Sequence, residues 1–215
     1  MQRSASLPIE RVVRQTLTKG RPGSRVTFFP SQKRGEPVAC GNLLQADFCV
    51  HLEYSQIVQT YECRPPALRF AEIDFKADFL LKLHDGSQVY HRFLLPDDQV
   101  YGRSPGLRRA IENQLATCDA SVQWLTPVEI PQRLVTSNLR YLYHHSFGST
   151  RLAALKIYRH VMSLADHRAT VGSLLARGLT AQDISRAIFS HTLRIDLERM
   201  LTSQTVVQGG HDGHL

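Results

Sequence analysis

Between residues 41 and 95 the spacing of apolar positions changes from a helical to an alternating pattern. LLQADFCVHLEY sets Leu44, Phe48 and Leu52 four residues apart, which predicts one apolar stripe along a helix over 43–54. The runs that follow are rich in Val, Ile, Tyr and Phe and predict strands over 57–62, 67–70, 75–83 and 88–95. Pro65-Pro66 prevents continuous pairing. Asp85-Gly86 predicts a tight type I′ turn, which needs positive φ at both central residues. Upstream, 9–17 suits a short helix with Ile9, Val12, Val13 and Leu17 near one face, 25–29 a strand broken by Pro30, and 31–35 a loop. Downstream, Ser104-Pro105 predicts a helix start with Ser104 as N-cap, and Leu107, Ile111 and Leu115 form its stripe. A strand over 122–125 carries the single tryptophan. Helix, strands, helix, strand argue for one α/β domain ending near residue 130.

The remaining chain changes character. TSNLRYLYHH lies in a helix predicted over 133–145, and Phe147-Gly148-Ser149 breaks it. A second helix is striped by Leu152, Leu155, Tyr158, Val161 and Met162, and a short third by Val171, Leu174 and Leu175. Gly178 suits that helix's C-terminus. Thr180 N-caps another with Asp183 at the capping-box position, and Ile184, Ala187 and Ile188 face its core. Alternation over 192–197 and again over 204–207, around a turn at 199–203, predicts a hairpin. Helices followed by a hairpin are the winged-helix plan, though the same elements also build protein-docking domains.

Composition restricts the class of protein. With 215 residues, 42% apolar and 21% charged, the chain suits a globular protein with a substantial core. No run approaches the roughly 20 apolar residues of a membrane span, and the N-terminus lacks the apolar core of a secretion signal. Cys40, Cys49, Cys63 and Cys118 show no metal-binding or disulfide spacing and read as reduced thiols, which predicts a cytoplasmic location.

Charge adds a direction. The net charge is +7, and residues 1–34 carry eight Lys and Arg against Glu10 alone. Residues 35–134 are net acidic and 135–215 net basic, a distribution that suits a polyanion. A solvated basic tail is the competing explanation. The terminal GGHDGHL reads as a flexible tail over 208–215.

The strings LLQADFCVHLEY, QTYECRP, KADFLLKLHDG, VTSNLRYLYHH and LRIDLERMLTSQTVV, in that order, resemble the TnsA family of transposon endonucleases. The resemblance covers most of the chain. It implies a restriction-endonuclease-like α/β domain over 25–132 after a basic arm at 1–24, then a winged-helix-like domain over 133–207. In that family the nuclease centre uses a helix glutamate, a proline-aspartate pair and a glutamate-x-lysine strand. Here Gln45 stands for the glutamate, Asp78 follows Ala77, and His91 and Arg92 lie where glutamate-x-lysine is expected. One carboxylate is too little to hold a hard dication.

The resemblance therefore implies a degenerate nuclease acting as a DNA-binding and assembly component beside a transposase or regulator. No cofactor is expected, and Mg²⁺, held at Asp78, only if cleavage is retained. Relocated catalytic groups are the alternative, drawn from Lys76, Lys82, Glu53, Glu62, Glu72 and Asp74. A pure protein-interaction subunit is the third reading. Candidate contacts to double-stranded DNA are Arg11, Arg14, Lys19, Arg21, Arg25, Lys33 and Arg34 in the basic segment. In the C-terminal part they are Gln182, Ser185 and Arg186, expected to face outward with Ser190, and Arg194 and Arg199 on the wing.

Overall fold

The computed structural model describes residues 10–14, 26–70, 73–96, 98–130 and 133–210. The chain divides into two compact units, Met1–Ile130 and Pro131–Leu215. The predicted positions Lys19, Arg21, Arg25, Glu72 and residues 211–215 of the expected tail lie outside the described residues, whereas Gln208 and Gly209, expected to begin that flexible tail, are held in a paired strand.

In the first unit the elements run β1 (Glu10–Val12), β2 (Thr27–Pro30), β3 (Pro37–Cys40), α1 (Leu43–Tyr54), β4 (Val58–Cys63), β5 (Ala67–Phe70), β6 (Ile73–Phe75), β7 (Phe79–Leu83), β8 (Gln88–Phe93), α2 (Pro105–Ala116) and β9 (Ala120–Leu125). The central sheet has the order β4-β7-β8-β9. Its first three strands are antiparallel, and β9 runs parallel to β8. A parallel neighbour needs a crossover, and α2 supplies it. Two smaller antiparallel sheets flank it, β1-β5-β6 and the β2-β3 hairpin.

Period-two alternation along β8 sorts two apolar layers. Tyr90 joins Leu68, Phe75, Tyr101, Ile111 and Leu115 in a buried cluster that includes α2. His91 and Phe93 turn the other way and pack on Phe48 of α1, which also meets Phe79.

Several sequence expectations need correction. Residues 10–12 form a strand and not part of a helix, because β5 offers them an edge to pair with. The strand expected over 75–83 is broken at 76–78, where Asp78 turns its backbone N–H to the His91 carbonyl (2.8 Å) and its own carbonyl to the Arg64 N–H (2.7 Å). The turn at Asp85-Gly86 has positive φ only at Gly86 (88°). Leu83 N–H reaches the Ser87 carbonyl, so three residues close the hairpin and one left-handed position suffices. Helix α1 is not striped: Gln45, Ala46, Phe48, Cys49, Val50, Leu52 and Glu53 are all buried. A helix covered on most sides loses its amphipathic signature. Ser104 precedes α2 but makes no side-chain cap. Strand β3 was absent from the expected elements altogether.

The second unit runs α3 (Arg133–Ser146), α4 (Arg151–Met162), β10 (Arg168–Thr170), α5 (Val171–Ala176), α6 (Ala181–Phe189), β11 (Leu193–Arg194) and β12 (Val206–Gly209). Strand β12 lies between β10 and β11, antiparallel to both. Helices α3 and α4 both pack on α6 around buried Leu139, Tyr143, Ile157, Val161, Ile184 and Ile188.

The stripe of α4 is shifted from the expected one. Ala154, Ile157 and Val161 are buried, while Leu152 is 63% exposed, and in α5 Leu174 is buried but Leu175 is exposed. The expected 192–197 strand shrinks to two residues because side chains meet the backbone beyond it. Asp196 accepts from Glu198 N–H, and Thr202 and Thr205 bond each other's turn. Thr180 caps α6 as expected, but Asp183 accepts from the Ser149 hydroxyl (2.6 Å) in place of the reciprocal bond. The complete capping box is Thr170 with Ser173, at α5.

Candidate nucleic-acid interface around Asp78

Asp78 precedes β7 and is buried. The structure brings three of the four predicted centre residues into direct contact. Gln45 of α1 donates its side-chain Nε2 to Asp78 Oδ1 at 3.0 Å. Arg92 of β8 donates Nη1 to Oδ2 at 3.1 Å, and the Phe93 backbone N–H adds a third bond to Oδ2 at 2.9 Å. Gln45 Oε1 is itself occupied by the Gly41 N–H at 2.9 Å. The same guanidinium bonds Asp98 Oδ2 at 2.8 Å and lies over the Tyr101 ring.

His91, the fourth, faces Phe48 and is 8% exposed, with a buried Nδ1 that has no hydrogen-bond partner. Burial lowers its pKa to about 4, so at neutral pH it is an uncharged, packed ring and not a cation for phosphate.

This geometry does not fit a hard divalent cation. Such an ion needs several oxygens with free lone pairs directed at one point. Both Asp78 oxygens already accept N–H donors, and the nearest charged group is a guanidinium. Among the described residues no group of three His, Cys, Asp or Glu side chains could hold a metal.

Of the acids named as relocated ligands, Glu53 and Asp74 are engaged elsewhere. Glu53 is buried and accepts from Ser31 Oγ (2.5 Å), Tyr61 Oη (2.9 Å) and Lys33 N–H (3.2 Å). Asp74 pairs with Arg69 on the surface. Glu62, Lys82, Arg34 and Lys33 line a cavity of about 370 Å³ beside β4 and β7. Lys76 is held through its backbone N–H by the Tyr101 hydroxyl oxygen.

The basic candidates separate into groups. Lys33 turns its ammonium to the Ser55 and Val58 carbonyls (2.5 and 2.6 Å), and Arg34 reaches the Tyr61 carbonyl and Glu36, so both serve the fold. Arg11 stands exposed on β1. Arg14 donates Nη1 to the Ala77 carbonyl at 2.7 Å, which puts it beside Asp78. On α6, Gln182 is exposed and Arg186 partly buried, but Ser185 is 3% exposed and faces inward, contrary to the outward placement expected for it. An outward position three residues after Gln182 is lost because α6 is flanked by both α3 and α4. Arg194 and Arg199 are exposed at the hairpin, Arg199 in a surface pair with Asp196.

Sequence reasoning missed Arg64 and Asp98. Arg64 sits in the left-handed region (φ 53°) before Pro65, anchored through its N–H on the Asp78 carbonyl. Periodicity carries no signal for a residue between strands, and only the positive-φ turn brings it to the site. Cys40 and Cys49, both buried, lie with their sulfurs 3.7 Å apart, and all four cysteines are free.

Buried His91 and half-buried His51 give the first unit an acid-side weakness. Burial lowers the pKa of His51 to about 4 as well. A histidine depressed in the fold binds its proton more readily when unfolded, so stability is retained above about 6.5 and lost as pH falls towards 4. Urea unfolding across that range should show a decline on the order of 1–3 kcal/mol, flattened in His91→Gln; a pH-independent midpoint would contradict it. Compared with known proteins, the chain matches no protein-family model and no curated protein.

Proposed function

We propose that this chain is a TnsA-like DNA-binding and assembly component of a transposition or mobile-element complex, without ordinary nuclease activity. The observation that carries the second half is the Asp78 carboxylate, whose oxygens are filled by Gln45, Arg92 and the Phe93 N–H where a metal would need open ligands. Two features of element order support the first half. One helix, three antiparallel strands, a crossover helix and a parallel strand is the order of restriction-endonuclease-like cores. After α3, the second unit runs helix, strand, two helices and a hairpin whose last strand lies in the middle, the order of a winged helix preceded by one extra helix. In that plan α6 is the recognition helix, with Gln182 and Arg186 towards bases and Arg194 and Arg199 towards phosphates.

An assembly role is supported by an apolar cavity of about 320 Å³ between α3, α6 and the hairpin loop, lined by Tyr141, Ile184, Ile188, Met200 and Leu201. Tyr141 and Met200 are exposed at 49% and 72%, a surface suited to a transposase or regulator.

The test is a binding isotherm on linear duplex DNA across a salt series. Each phosphate contact contributes a slope of about −0.9 in log K against log salt. A steep fall is expected, and a flat line would remove the DNA-binding reading. Incubation with element-end DNA and Mg²⁺ or Mn²⁺ should leave the DNA intact. Cleavage that disappears in Asp78→Asn would return the chain to the nucleases.

A further inference from the structure

Three guanidinium-bearing residues are tied to two consecutive residues of the first unit. Arg14 bonds the Ala77 carbonyl, Arg64 the Asp78 carbonyl through its backbone, and Arg92 the Asp78 carboxylate. They come from 63 and 14 residues away in sequence for the two side-chain bonds. Like charges gathered this closely repel, and burial together with the neighbouring charge of Arg64 lowers the Arg14 pKa. Arg92 is compensated twice, by Asp78 and Asp98. Among the described residues no carboxylate forms an ion pair with Arg14 or Arg64. Asp78 offsets part of the Arg14 charge, and an anion at this half-buried rim would offset more of it through charge-assisted hydrogen bonds.

We infer that Arg14 and Arg64 form a phosphate-binding site at the rim of Asp78, and that it takes a backbone phosphate of DNA in place of the metal-assisted chemistry of a nuclease. The inference rests on the DNA-binding reading above and adds to it the ligand class and residues of the first unit. Arginine suits this role because its planar fork offers two parallel donors to phosphate oxygens. Arg14 spends one donor on Ala77 and keeps the others for a ligand. Asp78 is then a positioning residue: its carboxylate fixes Arg92 and its carbonyl fixes the turn that carries Arg64. No bond is made or broken at the site, since nothing there activates water.

The experiment uses the full chain and a short linear DNA duplex. Arg14→Gln, Arg64→Asn and the double variant are compared with wild type and with Arg14→Lys and Arg64→Lys. Asparagine is chosen at 64 because it tolerates the left-handed backbone. Each neutral variant should reduce the salt slope by about 1, and the double variant should lose on the order of tenfold in affinity at moderate salt. The lysine variants should keep the slope. Melting curves identify any variant that fails to fold, and Arg64→Asn, which removes no side-chain hydrogen bond seen in the structure, keeps the test decisive if Arg14→Gln unfolds. Wild-type binding with slopes unchanged in both neutral variants would overturn the site and leave the DNA-binding function standing. No binding by wild type at any salt would overturn both.

Discussion

Replacing Asp78 with alanine will destabilise the first unit by about 3–5 kcal/mol, the range for removing one member of a buried charge pair. The variant leaves Arg92 with Asp98 as its one carboxylate and strands the Phe93 N–H and the Gln45 amide, both directed at the lost oxygens. Urea unfolding would read the loss as a lower midpoint at an unchanged slope. The sign separates two kinds of protein. In a metal-dependent nuclease the catalytic carboxylates repel one another in the absence of metal, and removing one commonly relieves strain. Here the carboxylate is a keystone among donors, so an unchanged or higher midpoint would mean that Asp78 is kept for chemistry.

The second large effect concerns Glu53, about two turns beyond Gln45 on α1. Glu53→Ala should cost on the order of 3 kcal/mol, because it leaves the Ser31 and Tyr61 hydroxyls and the Lys33 N–H without their acceptor in a buried place. It also withdraws the charge that opposes the desolvation of Lys33, whose pKa burial lowers to about 8. Glu53→Gln, which keeps one oxygen, should lose less. Equal loss in both variants would show that the negative charge, and not the hydrogen bonding, is what the site requires. No loss in either would make Glu53 available as a relocated catalytic acid, the reading its three bonds argue against.

These two residues show how much of the site was legible in advance. The motif pattern singles out Gln45, Asp78 and Arg92, and the fold brings Gln45 and Arg92 within hydrogen-bond distance of Asp78. What the pattern left open was whether the carboxylate is available. That depends on the rotamers of Gln45 and Arg92 and on the break at 76–78 that aims Asp78 at the Phe93 N–H. Glu53 illustrates the opposite limit. Its carboxylate looked free in sequence and is spoken for by a loop twenty-two residues upstream.

The sequence alone determined the local elements wherever one period dominated. The position of helix 43–54 (though not its single apolar face), the strand at 67–70 and the helix starting at Pro105 follow from apolar spacing and chain breakers, because those forces act within a few residues. Ala187 and Ile188 were likewise assigned to the core of α6 from spacing. The tertiary structure decided everything that depends on a partner distant in the chain. It paired residues 10–12 with β5, buried α1 on most of its surface, turned Ser185 inward between two helices, and shifted the buried face of α4 from Leu152 to Ala154. It also tied Arg14 to the Ala77 carbonyl, the Arg64 backbone to the Asp78 carbonyl and Arg92 to the Asp78 carboxylate. The physical reason is that hydrophobic periodicity reports a single buried face, whereas electrostatic sites arise where loops from several elements converge and leave no period to detect.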